Sequence, residues 1–372
     1  MAITVGVLKE KTENERRVAL VPSDIKKLVK EGYEVLVERG CGEGAYFLDK
    51  EYEEAGAKVI DNPEDILKNA DVLLKIQPIT LQEAEVLKEG AVYIGFTRYW
   101  ENSDLLKLLA ERKMTVFALE KIPRTTKAQF VDVLSSQATV AGYKAAIIAA
   151  HLSPSMFPML TTAAGTLKPA RVLVIGVGVA GLQALATAKR LGAQTFAYDI
   201  RPAAKYDAQS VGAKFLESPV WAEGEGGYAR ELTEEEKKIQ HEFLAKHIGN
   251  SDVVITTAQV PGKRAPVIVT RDMIERMREG SVIVDIAADN GGNCELTKPG
   301  ELIEYKGIKI FGPLNVPSSV PRPSSEMFSK NMVNFLGLMV KDGNINIDFG
   351  EEILEKSCLI FKGEFKMEVK NA

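Results

Sequence analysis

The sequence predicts an α/β protein of two doubly wound parallel-sheet domains, joined by long helices with a cleft between them. Three observations lead there. At 372 residues the chain is too long for one core, because single cores stop growing near ~250–300 residues. Its first 120 residues alternate short apolar strands with amphipathic helices, the pattern of a parallel sheet covered on both faces. Residues 172–199, VLVIGVGVAGLQALATAKRLGAQTFAYD, set three glycines between a β-branched strand and a helix, then a second strand that ends in an acid.

Taken in order, the strands expected in the first unit are Ile3–Val7, Glu34–Val37, Lys58–Ile60, Val72–Lys75, Val92–Phe96 and Thr115–Leu119. Between them, SDIKKLVKEG starts from Ser23 as its cap and stops at Gly32, and SDLLKLLAERK starts from Ser103. No glycine fingerprint closes any of these strands, so this unit is expected to hold no dinucleotide of its own. A long helical pattern, Lys127 to Ala150, then links the two units, and the cleft beside such a link is a usual ligand position.

From Ala145 to Leu167, 23 residues lack Asp, Glu, Lys and Arg, enough in length for a bilayer span. His151, Ser153, Pro154, Ser155, Pro158, Thr161, Thr162 and Gly165 interrupt it. The stretch reads as a helix end plus a buried loop, and no transmembrane helix is expected. The second unit, residues 168–315, continues with strands at Lys214–Leu216, Val253–Thr256, Val282–Ile286 and Lys309–Phe311. A final helix, Ser324–Val340, leads back to the first unit, and short strands are expected between Ile345 and Lys362. The expected domains are 1–126 with 325–372, a discontinuous unit, and 127–324 with the linking helices.

Composition narrows the function classes. Hydrophobic content of 45% and charged content of 26% are ordinary for a globular protein. A net charge of −4 with no long basic patch argues against nucleic acid as a partner. Cys41, Cys294 and Cys358 are odd in number and lack metal-ligand spacing, so neither a disulfide framework nor a metal site is expected. The N-terminal MAITVGVLKEK enters a strand directly and has no signal-peptide pattern.

The glycine segment carries the first chemical conclusion. Gly176 allows a tight strand-to-helix turn, Gly178 lets the backbone approach a pyrophosphate, and Gly181 lets helix and sheet pack closely. The helix begins at Val179 and Ala180, where free N–H groups and the positive dipole end meet the phosphates. Asp199 lies 18 residues past Gly181, where a carboxylate takes the adenosine ribose hydroxyls and disfavours a 2′-phosphate. Strand, glycines, helix, strand and acid in register identify a Rossmann-like unit that binds NAD(H).

A second set of residues sits in PRTTKAQFVDVLSSQ. Gln129, Asp132 and the pair Ser135/Ser136 fall at i, i+3 and i+6/i+7, one face of the expected linking helix, with Arg124 ahead of it. A guanidinium, an amide, a carboxylate and a hydroxyl suit an amide-bearing nicotinamide ring and nearby phosphates. A polar helix face is ordinarily just solvated, so polarity alone does not make this a site.

Two further features frame the chemistry. Between Leu216 and Asp252, Gly224, Gly226 and Gly227 precede Tyr228 and a charged helix. That loop reads either as a solvated excursion or as a lid over the nucleotide. Only three histidines are present, His151, His241 and His247, and none has a promising catalytic context. Hydride passed directly between two nicotinamide rings needs no general acid or base, only two C4 atoms held in contact with water excluded.

These residues match a family. Over nearly its full length the chain closely resembles the soluble NAD(H)-binding alpha subunit (domain I) of proton-translocating NAD(P) transhydrogenase. The matching pieces are VLKEKTENERRVALVP, PRTTKAQFVDVLSSQATVAGYKA, TAAGTLKPARVLVIGVGVAGLQA, GGYAREL, PGKRAPVIVTRDMI and GSVIVDIAADNGGNCELTKPGE. The resemblance implies that Arg124, with Thr125 and Thr126, Asp132 and Ser135 contact NAD(H) near its nicotinamide end. It implies that Gln129 reaches towards NADP(H), which this chain does not bind and a partner subunit holds. Asp199, Ile200 and Arg201 would hold the adenosine ribose, Gly227, Tyr228 and Gln240 would belong to a mobile loop, and Ala258 and Gln259 would line the cofactor. Gln259 stands where the family pattern has leucine.

The resemblance further implies direct hydride transfer from NADH to NADP+, catalysed only with the partner and coupled to proton translocation by a separate membrane component. A homodimer docked peripherally on the cytoplasmic face of the membrane, beside a transmembrane subunit and an NADP(H)-binding beta subunit, goes with it. The related alanine dehydrogenases are the rival reading, and a non-enzymatic NAD-sensing module is the third. Arg17 and Lys75 resemble alanine dehydrogenase's substrate-carboxylate ligands and Asp289 its catalytic acid, but the segment that would carry its histidine reads IGFTRYWEN.

Overall fold

The computed structural model of the protein describes residues 2–222, 230, 232–260 and 262–366. The chain divides into two compact units, Met1–Gln137 with Ser318–Ala372, and Ala138–Pro317. The first opens on β1 (Thr4–Val7), α1 (Pro22–Lys30), β2 (Glu34–Glu38), α2 (Asp49–Glu54) and β3 (Lys58–Ile60). It continues through α3 (Pro63–Asn69), β4 (Val72–Leu74), α4 (Leu81–Val86), β5 (Val92–Gly95), α5 (Ser103–Glu111) and β6 (Thr115–Ala118). The linking helix α6 (Val133–Leu152) leads to a hairpin of β7 (Leu160–Thr162) and β8 (Gly165–Leu167).

The second sheet starts with β9 (Arg171–Ile175), α7 (Val179–Arg190), β10 (Gln194–Tyr198), α8 (Ala204–Ser210) and β11 (Lys214–Phe215). After α9 (Glu234–Gly249) come β12 (Val253–Thr256), α10 (Arg271–Ile274), β13 (Val282–Asp285), β14 (Leu302–Tyr305) and β15 (Ile308–Phe311). The chain ends with α11 (Pro321–Met339), the pair β16 (Val340–Lys341) and β17 (Asn344–Ile345), α12 (Glu352–Ser357), β18 (Cys358–Phe361) and β19 (Glu364–Phe365).

Both sheets are doubly wound. The first runs β19-β18-β6-β5-β4-β1-β2-β3, parallel from β3 to β6, with β18 added antiparallel on β6. The second runs β11-β10-β9-β12-β13-β15-β14, parallel except for β14. The central strands are apolar on both faces, as strands under two helical layers must be. In β9, Val172 and Val174 enter one core while Leu173 and Ile175 enter another. In β4, Val72 and Leu74 face one core and Leu73 the other.

Local expectations shift in four places. The cap of α1 is Val21, not Ser23: Pro22 fills the first helical position, where its missing N–H costs nothing. The cap of α5 is Asn102, not Ser103, a one-residue difference at a fraying end. The linking helix starts at Val133, six residues later than its apolar period suggests, because Thr126–Ala128 closes a 3-10 turn first. The stretch after α6 is no buried loop: both strands of the β7–β8 hairpin are exposed throughout. No helix among the described residues is long and apolar enough to cross a membrane.

Candidate functional site

At the centre of the second sheet β9 lies between β10 and β12, the crossover point where open α/β sheets bind ligands at their carboxyl ends. Gly176 leaves β9 with φ +92°, a backbone state that L side chains rarely adopt. A Cβ on Gly181 would stand 1.9 Å from the Gly176 carbonyl oxygen, so helix and turn touch there. A Cβ on Gly178 would meet nothing, and that residue is exposed. No side chain caps α7 at Gly178, which leaves the N–H groups of Val179 and Ala180 and the positive dipole end to a ligand. The turn is thus open at Gly178 and presents the start of an uncapped helix, the arrangement that favours an anion.

A glycine outside the fingerprint also shapes it. A Cβ on Gly142, in α6, would lie 2.0 Å from the Ala180 carbonyl oxygen. The first turn of α7 is therefore backed directly by helix backbone. Sequence reasoning misses this role, although Gly142 lies in the AGY of PRTTKAQFVDVLSSQATVAGYKA.

Asp199, at the end of β10, is buried, and its carboxylate is engaged at both oxygens. Oδ2 accepts from the Val177 N–H at 2.7 Å, which ties the acid to the glycine turn. Arg201 donates from its backbone N and Nε to Oδ1 at 2.9 Å each and from Nη2 to Oδ2 at 2.7 Å. Ribose hydroxyls would thus reach Asp199 by taking over bonds that Arg201 now makes. The pairing is not visible in the sequence, and it weakens simple charge repulsion as the reason to reject a 2′-phosphate. Gln240, in α9, donates to the Tyr198 hydroxyl at 2.8 Å, which fastens that helix to the strand carrying Asp199. Burial, opposed by hydrogen bonds from Gln240 and Ser218, holds the Tyr198 hydroxyl pKa above its ordinary value.

Ala258 and Gln259 follow β12 and flank the same turn. The Thr257 hydroxyl donates to the Gly176 carbonyl at 2.8 Å, and the Gln259 amide donates to the Ile286 carbonyl at 2.5 Å. Gly227 and Tyr228, and the Gly224–Tyr228 lid reading with them, lie outside the described residues.

The Arg124–Ser135 set is arranged differently from the expected helix face. Arg124, Thr125, Thr126 and Gln129 are exposed, and Gln129 lies in the turn before α6. Asp132 is the helix cap: its Oδ1 accepts from the Ser135 N–H at 2.9 Å, its Oδ2 from the Ser135 hydroxyl at 2.6 Å. Its backbone oxygen takes the first helical bond, from Ser136. An Asp that can bond the N–H three residues on begins a helix more readily than it sits inside one. The structure thus brings Asp132 and Ser135 together and presents Gln129 on a separate turn. Asn331 and Asn334 pin that turn by donating to the Phe130 carbonyl at 3.0 and 2.8 Å.

Arg17, Lys75 and Asp289 are all engaged within their own units. Arg17 pairs with Glu15 through Nε at 2.8 Å and Nη2 at 2.6 Å and donates from Nη1 to Gln137 at 2.8 Å. Lys75 lies buried between Glu83 at 3.3 Å and Glu10 at 3.9 Å. Asp289 accepts from the Asn315 N–H at 3.1 and 3.2 Å. His241 bonds Asp272 on α9's surface, His247 packs on Phe243, and His151 is exposed at the end of α6.

Comparison with known proteins gives the family of the chain. The family model "Alanine dehydrogenase/PNT, N-terminal domain" matches residues 6–141 and its C-terminal counterpart residues 145–368. The chain is 46% identical to the first part of the NAD(P) transhydrogenase subunit alpha of Rickettsia prowazekii, over 92% of this chain and 91% of that protein. It is 31% identical to an alanine dehydrogenase of Staphylococcus saprophyticus, over 86% and 83%. The crystal structure of a transhydrogenase from Sinorhizobium meliloti superposes with a TM-score of 0.88 at 41% identity, covering 97% and 99%.

Proposed function

The chain belongs to the alanine dehydrogenase/PNT family, among the transhydrogenase alpha subunits, and we propose that it is the NAD(H)-binding subunit of a proton-translocating transhydrogenase. The observation that carries this reading is the open glycine turn with Asp199 tied to it through Val177. Bound NADH supplies a hydride and NADP+ on a partner subunit accepts it, with no proton exchanged at either ring. The chain's own part is to hold and orient. The turn at Gly176–Gly181 takes the pyrophosphate, Asp199, Ile200 and Arg201 take the adenosine ribose, and Arg124, Asp132 and Ser135 take the nicotinamide end. Gln129, exposed on its pinned turn, points the reading towards the partner's NADP(H).

Identity favours this over alanine dehydrogenase, at 46% against 31%. Arg17 and Lys75 have carboxylate partners of their own, and IGFTRYWEN offers no histidine. The proton-translocating membrane component and the cytoplasmic, peripheral location belong to the same proposal. So does a homodimer, supported by the uncharged β7–β8 hairpin. Two strands alone are marginal in water, and Met156, Met159, Leu160 and Leu167 stand exposed on or beside them.

The deciding assay measures NADH oxidation with the chain alone and with an NADP(H)-binding beta subunit plus NADP+. Transfer is expected only in the mixture. Alanine-dependent NADH formation by the chain alone would overturn the proposal in favour of the dehydrogenase, and NADH binding without transfer in any mixture would leave a sensor. Arg124→Ala and Gln129→Asn are expected to slow transfer by about ten- to a hundredfold, the cost of a misplaced ring. Unchanged rates in both would remove that segment from the site.

A further inference from the structure

Next to the glycine turn lies a buried polar network that neither fingerprint nor family resemblance assigns. Asp285 closes β13 with no exposed surface. Its Oδ1 accepts from the Thr256 hydroxyl at 2.9 Å and the Ala287 N–H at 3.1 Å. Its Oδ2 accepts from the N–H groups of Asn293 at 2.7 Å and Cys294 at 2.9 Å and from the Thr297 hydroxyl at 2.6 Å. Gly292, at φ +85°, makes this possible, since a Cβ there would fall 2.7 Å from Oδ2. One carboxylate thus folds the loop after β13 back over the sheet end.

The loop delivers Asn293, also fully buried, to one target. Its Oδ1 accepts from the Ala258 N–H at 2.9 Å while its Nδ2 donates to the Ala258 carbonyl at 2.8 Å and to the Pro266 carbonyl at 2.9 Å. Both polar groups of one residue's backbone are held by one side chain, as a neighbouring strand would hold them. On the other flank, Thr257 is bonded to the Gly176 carbonyl, and a Cβ on Gly176 would stand 2.8 Å from the Thr257 hydroxyl and 3.1 Å from the Ala258 nitrogen. The Thr257–Ala258 backbone is therefore a wall standing against the turn.

Resting on the reading of that turn as the NAD(H) site, we infer that Asn293 and Thr257 are positioning residues, fixing the Ala258 wall at the distance the nucleotide requires. Neither need touch the ligand. A purely structural stitch would lower stability and leave the affinity of folded protein alone. A positioning pair must move affinity in protein that remains folded.

The test is NADH titration by fluorescence on the full-length chain, paired with circular dichroism and urea unfolding. Asn293→Asp keeps shape and acceptor but loses both donors and turns a carboxylate oxygen on two carbonyls. Asn293→Ala leaves the Ala258 groups unmet. Both are expected to raise the NADH Kd by about tenfold or more in folded protein, as loss of a buried hydrogen-bonding partner does. Thr257→Val is expected to weaken binding less, and Thr257→Ser to restore it. Wild-type affinity in folded Asn293→Asp overturns the inference. Should the Asn293 variants not fold, wild-type affinity in Thr257→Val, or a loss that Thr257→Ser fails to restore, overturns it instead. If the unsubstituted chain itself fails to bind NADH, the reading of the turn falls, and this inference with it.

Discussion

In the first sheet β1 stands between β2 and β4, and in the second β9 stands between β10 and β12, so both have a crossover point at the carboxyl ends of their central strands. The two are used in opposite ways. Beyond β1 and β4 the place is filled by side chains: Glu10 accepts from the N–H groups of Ile76 and Gln77, Lys75 sits between Glu10 and Glu83, and Arg17 pairs with Glu15. Beyond β9 glycine backbone borders the turn, and the ion pair nearest to it, Asp199 with Arg201, stands to one side at the end of β10. Topology supplies a location twice. Only where the sequence leaves the first N–H groups of a helix without a side-chain cap does that location offer an anion a place.

The largest effect should separate the two regions. Arg17→Met leaves Glu15, whose side chain is fully buried, without its cation. Breaking a buried pair from one side costs about 3–5 kcal/mol. The chain has two tryptophans, Trp100 in the first unit and Trp221 in the second. With Trp221→Phe as background, Trp100 fluorescence should show the first unit's urea midpoint falling sharply in Arg17→Met. With Trp100→Phe as background, Trp221 should report a much smaller shift. Equal shifts at both reporters would break the comparison, because the cluster would then support the whole chain.

Gly181→Ala probes the other side. Its methyl would meet the Gly176 carbonyl at 1.9 Å, an overpacking that costs about 1–3 kcal/mol. Because the displaced atoms form the cradle, NADH binding should be lost while Trp100 reports an unshifted first unit. Retained NADH affinity would mean that the turn is not where the nucleotide sits.

How much of this is legible in the sequence follows the same division. The glycine turn is readable because each glycine's job is local backbone geometry, set by its neighbours in sequence. The Asp132 cap is not. The 3.6-residue period of the linking segment runs smoothly through it, while the actual start depends on a carboxylate bonding three residues ahead. The uncharged run after α6 reads as buried, yet Pro154 lies just past the helix end at Leu152 and Gly165, at φ +125°, opens the second strand of an exposed hairpin. Asn293 is invisible for a third reason: its partner Ala258 is 35 residues away, and only the folded loop brings them together.

The smallest effect concerns charge alone. Burial pushes the Glu10 carboxyl up from an ordinary 4.5 to about 7, against the pull of Lys75 and the Ile76 N–H. Burial would raise Glu15 too, but the hydrogen bonds and charge of Arg17, with Gln77, bring it down to about 2. A carboxyl raised in the folded state adds stability that is fully present below its unfolded value and lost as pH rises through its folded one. Glu10 should therefore cost the first unit stability between 4.5 and about 7. Glu15 does the reverse, contributing above 4.5 and failing only as pH falls through about 2. Glu10→Gln should flatten the fall in the Trp100-reported urea midpoint between pH 4.5 and about pH 7, while NADH affinity keeps the pH dependence of the parent chain. If the slope survives in Glu10→Gln, the buried cluster is not the source of the first unit's pH response. If instead the pH dependence of NADH affinity changes with it, the two crossover points are coupled, and the contrast between a filled and an open one no longer describes two independent regions.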